Sequence, residues 1–115
     1  MSNYVKITST PGLLCGNTGI ATGVTKALDC GNWKSVHMLF VRLVYDGSSV
    51  QGTIFIPTAY LLLQTGTFYM RFPVALNTNV NDGFGYICIL SYTDTTITFK
   101  NDLSHTINVA IWGCN

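Results

Sequence analysis

The sequence predicts an all-β fold. It reads as one antiparallel β-sandwich over residues 1–115, jelly-roll-like, with eight or nine short strands. Three observations carry that expectation. Apolar and polar residues alternate with period two in several segments, and turn signals separate them every eight to twelve residues or so. The 15 Thr and 9 Asn are accompanied by many Val, Ile, Tyr and Phe, whereas Glu is absent. That composition suits strands and lacks a good helix former. Finally, 115 residues make one domain with room for a real core.

The elements follow in order. Asn3–Thr8 alternates weakly and predicts a first strand. Ser9–Gly23, with Pro11 and several glycines, predicts a loop holding at most one short strand. Val24–Cys30 predicts a strand that turns at Gly31-Asn32. Trp33–Tyr45 is the clearest strand. Val36, Met38, Phe40, Arg42 and Val44 fall on one face; His37, Leu39, Val41, Leu43 and Tyr45 fall on the other. Both faces are largely apolar, which predicts a central strand covered on both sides. Asp46-Gly47 predicts a tight hairpin. Val50–Ile56 is its return strand, and Pro57 ends it or holds it at an edge.

"AYLLLQTG" (Ala59–Gly66) fits a helical turn or a short strand, with the strand preferred. Thr67–Pro73 predicts a strand, and Ala75–Gly83 an Asn-rich loop. Gly83–Tyr92 follows as a strand. Phe84, Tyr86, Cys88, Leu90 and Tyr92 share one face, which puts Cys88 in core packing. Thr95–Lys100 and His105–Trp112 close the domain, the latter burying Ile107, Val109 and Ile111. Loss of residues 106–115 should therefore abolish soluble protein. Loss of Cys114 and Asn115 alone should be tolerated, because both lie beyond the alternation.

Charged residues are 10% of the chain against a usual share of about 25%, and the net charge is +1. So weak a charge gives no field for phosphate backbones, so no nucleic-acid partner is expected. No apolar run reaches membrane-spanning length, and the N-terminus has no apolar leader. Neither membrane insertion nor a signal peptide is expected. Low charge combined with a mean hydropathy of +0.35 predicts that partners, or copies of the chain itself, cover some apolar surface. Cys15, Cys30, Cys88 and Cys114 form no C-x-x-C pair, so no metal site is expected, and the four read as free, mostly buried thiols acting as small hydrophobes.

Little points to catalysis. Four of the five Asp stand in turn-like contexts, at Asp46-Gly, Asp82-Gly, Asp94-Thr and Asn101-Asp102. His37 reads as a packed residue and His105 as an exposed or capping one. Nucleophile-elbow, zinc-protease and phosphate-loop motifs are all missing. No enzyme activity, catalytic residue or cofactor is expected. Binding is the better class. Trp33, beside a Gly-Asn turn, either stacks on a sugar ring or folds into the core. The cluster Asn77, Asn79, Asn81 and Asp82 offers hydrogen-bond donors and acceptors on a loop, as sugar hydroxyls would require, or forms a solvated loop.

The chain's last stretch, "SYTDTTITFKNDLSHTINVAIWGCN", resembles the C-terminal end of phage tail-fibre and minor tail proteins. The matching residues are Thr95, Ile97, Phe99, Ile107, Val109, Ile111, Trp112 and Gly113. Upstream, "NWKSVHMLFVRLVYDGSS" and "GTIFIP" resemble the family's long core strand and its return. The likeness spans roughly residues 24–115 and is one of strand order, not of a catalytic motif. It departs from the family at Trp112, where Tyr is usual, at Cys114, where an aliphatic is usual, and in lacking a repetitive shaft. The resemblance implies a non-enzymatic virion module, made in the host cytoplasm. It implies a homotrimer packed against other virion proteins, recognising a host-surface glycan or protein. A capsid decoration or trimerisation domain is the alternative, and a cellular lectin-like sandwich a further one.

Overall fold

A computed structural model describes residues 11–47, 51–75 and 84–115. Its strands are β1 (Gly12–Ile20), β2 (Thr25–Asp29), β3 (Met38–Tyr45), β4 (Gln51–Pro57), β5 (Met70–Ala75), β6 (Phe84–Tyr92), β7 (Thr96–Asn101) and β8 (Ile107–Cys114). A 3₁₀ turn covers Trp33–Ser35, and a five-residue helix, α1, covers Thr58–Leu62. The eight strands form two antiparallel four-stranded sheets, β1-β8-β3-β4 and β2-β7-β6-β5. This is the expected all-β sandwich.

A jelly roll is a long hairpin wrapped on itself, so its first strand pairs with its last. β1·β8 and β2·β7 keep that pattern. The four inner strands instead pair as the hairpins β3·β4 and β5·β6.

The core lies between the sheets and is made by alternation. Leu39, Val41, Leu43 and Tyr45 of β3 point inward, as do Ile107, Val109 and Ile111 of β8. Ile87, Ile89, Ile97 and Phe99 meet them from the second sheet. Each such side chain contributes about 1.5–3 kcal/mol when fully buried. Gly113 also faces this layer. A Cβ there would stand 2.7 Å from a Val36 methyl and 2.8 Å from a Leu14 methyl, so only glycine lets those two close over it.

Several expectations need correction. Most of the stretch read as loop at Ser9–Gly23 is the nine-residue strand β1. It occupies a sheet edge, where one neighbour suffices, and its register shifts between Leu13 and Cys15 and between Cys15 and Thr18. Bulges at an edge are where glycine is tolerated in a strand. The long strand starts only at Met38, because Trp33–Ser35 coils to bury the Trp33 ring.

Ala59–Leu62 belongs to a helix, not a strand. Pro57 ends the β4 ladder with φ −59°, and Leu61 alone of Tyr60–Leu63 is turned into the core. β3 is central, but its outer face is only half-buried, not covered. β8 runs on to Cys114, which is buried, pairs with Met38, and accepts the His37 N–H at 3.0 Å. It therefore does not lie beyond the strand. The strand expected at Asn3–Thr8 lies outside the described residues.

One polar residue ties the elements together. Asn101, the last residue of β7, is fully buried. Its amide donates to the Ile20 carbonyl at 2.9 Å and the His105 carbonyl at 2.8 Å. Its Oδ1 accepts the Leu103 N–H at 2.7 Å. Every hydrogen-bonding group of the side chain is thereby used.

Candidate functional site

Trp33 does not reach solvent. Its ring is fully buried, Nε1 donates to the Thr93 carbonyl at 3.0 Å, and Tyr92 packs edge-on at 5.3 Å. Indole burial is favourable once its N–H has a partner. Of the two readings open for Trp33, burial bears out the core role and rules out stacking on a sugar. Asn77, Asn79, Asn81 and Asp82 lie outside the described residues.

The four described carboxylates are each engaged locally. Asp29 accepts the Gly31 N–H at 3.1 Å, and Asp46 accepts from the Asn108 amide at 3.3 Å. Asp94 pairs with Lys34 at 2.7 Å, which holds its pKa below the ordinary value. Asp102 belongs to the cluster described below. His105 is exposed and packs its ring against Tyr45 at 5.0 Å. His37 is exposed at the rim of an apolar hollow of about 210 Å³, shared with Lys34, Val36, Pro57, Thr58, Ala59 and Leu62. That is below the roughly 300–1,000 Å³ of small-molecule pockets. All four cysteines are free and buried, and among the described residues no group of three or more His, Cys or Asp side chains is placed to hold a metal ion. Burial, with Cys15 nearby, pushes the Cys30 thiol up to about 12.

The two outer faces of the sandwich differ sharply in chemistry. On the first sheet, Leu13 faces Trp112, Trp112 faces Phe40, and Phe40 faces Phe55. These four side chains make one apolar row across all four strands. Phe40 and Phe55 meet edge-on at 5.2 Å, and Phe55 is still 62% exposed and Leu13 59%. The next row adds Cys114, Met38 and Pro57. Arg42 is the one charged residue in these four strands, and its Nε is held by Gln51 Oε1 at 2.8 Å. The solvent face of an antiparallel sheet is ordinarily polar.

The second sheet carries polar groups outside. Arg71 faces Cys88, Cys88 faces Lys100, and Lys100 faces Thr25. Asp102, just past β7, gathers this row. Its Oδ2 accepts the Tyr69 hydroxyl at 2.6 Å and the Cys88 thiol at 3.4 Å, and its Oδ1 meets Lys100 Nζ at 3.3 Å. The Tyr69 hydrogen bond is the main reason the Asp102 carboxyl titrates below its ordinary value. The same bond raises the Tyr69 phenol, because ionising it would put a second negative charge beside Asp102. Burial raises the Cys88 thiol. Cys88 is thus buried on the outer side of β6, beneath Asp102, and not in the inter-sheet core as its strand face suggested. The guanidinium of Arg71 stacks on the Tyr86 ring at 3.7 Å and lies 5.8 Å from the Tyr69 ring.

Comparison of the chain with protein families, with curated proteins and with solved structures finds no match in any of the three.

Proposed function

We propose that the chain is a non-enzymatic virion structural module, the tip domain of a phage tail fibre. In this reading three copies pack through the outer face of the first sheet, against one another and against other virion proteins. The second sheet is left to meet a host-surface receptor. The observation that carries the reading is the row Leu13–Trp112–Phe40–Phe55, with Arg42 the lone charge in its sheet. A symmetric assembly lets each subunit bury this same face, and a net charge of +1 opposes it little.

The area involved is enough to matter. An aromatic side chain buries about 150–250 Å², so covering the exposed 62% of Phe55 is worth about 2–4 kcal/mol at ~25 cal/mol per Å². Light scattering behind gel filtration tests the proposal. The wild-type chain should run as a trimer at micromolar concentration, and Phe55→Ser with Leu13→Ser should run as a folded monomer. A monomeric wild-type protein would remove the fibre-tip reading. A trimer that binds no host surface would leave the capsid-decoration or trimerisation alternative.

A further inference from the structure

We propose that the outer face of the second sheet, at Tyr69, Arg71, Tyr86 and Lys100, binds a sugar bearing a carboxylate or sulfate group. The inference rests on the receptor-binding role proposed above and names the ligand class for it.

Charge comes first. Arg71, Lys100 and Asp102 are brought together by the register of β5, β6 and β7. Two cations against one carboxylate leave one net positive charge. Asp102 spends its charge on Lys100 and its remaining acceptor capacity on Tyr69 and Cys88. Among the described residues, Arg71 makes no ion pair. Its guanidinium instead lies against the Tyr86 ring. Stacking fixes the plane of the group and leaves its in-plane N–H donors directed sideways. A planar fork of donors matches a carboxylate or sulfate, two bonds at a time.

Shape supplies the second half. Tyr69 is 55% exposed, yet its hydroxyl is anchored on Asp102. The ring therefore has few orientations to lose when a ligand arrives, and its face offers an apolar platform beside the guanidinium. A ligand that uses both needs an anionic group joined to a stack of C–H bonds. An acidic sugar has that form. A nucleic acid would ask for a run of cations along a backbone, and among the described residues this face has two, one of them already paired.

Isothermal titration of the full chain tests this. The probes are digalacturonic acid, galactose 6-sulfate, lactose and inorganic sulfate. At least one of the two acidic sugars should bind, and which of them does so assigns the anion. Lactose and inorganic sulfate should each bind at least tenfold more weakly. Arg71→Ala and Arg71→Lys should both weaken the acidic sugar tenfold or more, because Lys keeps the charge and loses the fork. Tyr69→Phe should keep most of the binding and Tyr69→Ala should lose it. Circular dichroism confirms that each variant is folded.

Equal binding of lactose, equal binding of inorganic sulfate, no binding of either acidic sugar, or an unchanged Arg71→Ala variant would overturn the proposal. Host-cell binding that survives Arg71→Ala would overturn it while keeping the receptor role. Acidic-sugar binding by a monomeric chain would keep it and remove the fibre-tip assembly.

Discussion

Replacing Asn101 by Ala should be the most damaging single polar change in the described residues. The side chain ties the distant end of β1 at Ile20 to the turn before β8, at Leu103 and His105. Its backbone adds two more ties, from Gly23 N–H to its carbonyl at 2.7 Å and from its own N–H to Val24 at 3.1 Å. Ala keeps the backbone bonds and orphans two carbonyls and one N–H. A buried group left without a partner costs about 1–3 kcal/mol. If water reaches one of the three, a loss of about 3–5 kcal/mol remains, a large part of the roughly 5–15 kcal/mol that holds a domain together. With a urea slope near 2 kcal/mol per molar, the unfolding midpoint should fall by about 2 M. Asn101→Asp should cost no less, because a carboxylate oxygen would then face two carbonyls. Asn108→Ala, which loses one long bond to Asp46 at the surface, should stay within about 0.5 kcal/mol. An Asn101→Ala protein within 1 kcal/mol or so of wild type would refute the bridging role.

Two further predictions concern the chain's last residues and its acid response. Deleting Cys114 and Asn115 should lower the melting temperature by about 4–8 °C or more, since it removes a buried thiol and the acceptor of the His37 N–H; scanning calorimetry finding no change would restore the view that the strand stops at Trp112. The stability that Asp102 gains from Tyr69, Cys88 and Lys100 belongs to its ionised form, because its folded-state pKa lies below the ordinary 3.8. That contribution is fully present above the ordinary value and is lost as pH falls through the lower folded one. The difference in urea midpoint between wild type and Asp102→Asn should thus be constant above about pH 5 and shrink below about pH 4, and a difference independent of pH would show that the carboxylate's charge plays no part.

Much of the sandwich could be read locally. The inward face of β8 follows from the alternation at Ile107–Ile111, whereas β3, apolar on both faces, was legible as a central strand but not as to which face turns inward. The Asp46-Gly47 turn has its glycine at φ +73°, the conformation that dipeptide favours. What was not legible is what depends on partners. β1 looks like loop because it follows Pro11 and carries three glycines in nine residues, and only β8 beside it makes it a strand. The run Leu61–Leu63 has no period to choose between helix and strand, and the choice is made by Pro57 and by the single inward position at Leu61. A turn-side tryptophan gives no sign of which way its ring will fold.

The Tyr69–Arg71–Cys88–Lys100–Asp102 cluster is assembled by register across three strands, so no contiguous stretch announces it. Asn101 did leave a trace, since its Oδ1 bond to the N–H two residues on is a local Asx turn. Its bond to His105, four residues on, stays within the same turn, and only the bond to Ile20 is tertiary.

The central place of β8 sets how the molecule must fold. Gly12 pairs with Gly113, so the first sheet closes only when nearly the whole chain has been looped back. The hairpins β3·β4 and β6·β7 need short loops and can form at once; β8 must then dock on the open edge of β3 before β1 has a strand to pair with. Non-local topologies of this kind fold in roughly milliseconds to seconds, not microseconds. Until β8 arrives, the ladders of β1 and β3 both stand open, and β1 has no strand beside it to hold it in the sheet. A neighbouring chain's β8 satisfies those ladders as well as its own does, so refolding at high concentration should yield strand-exchanged oligomers before it yields native ones.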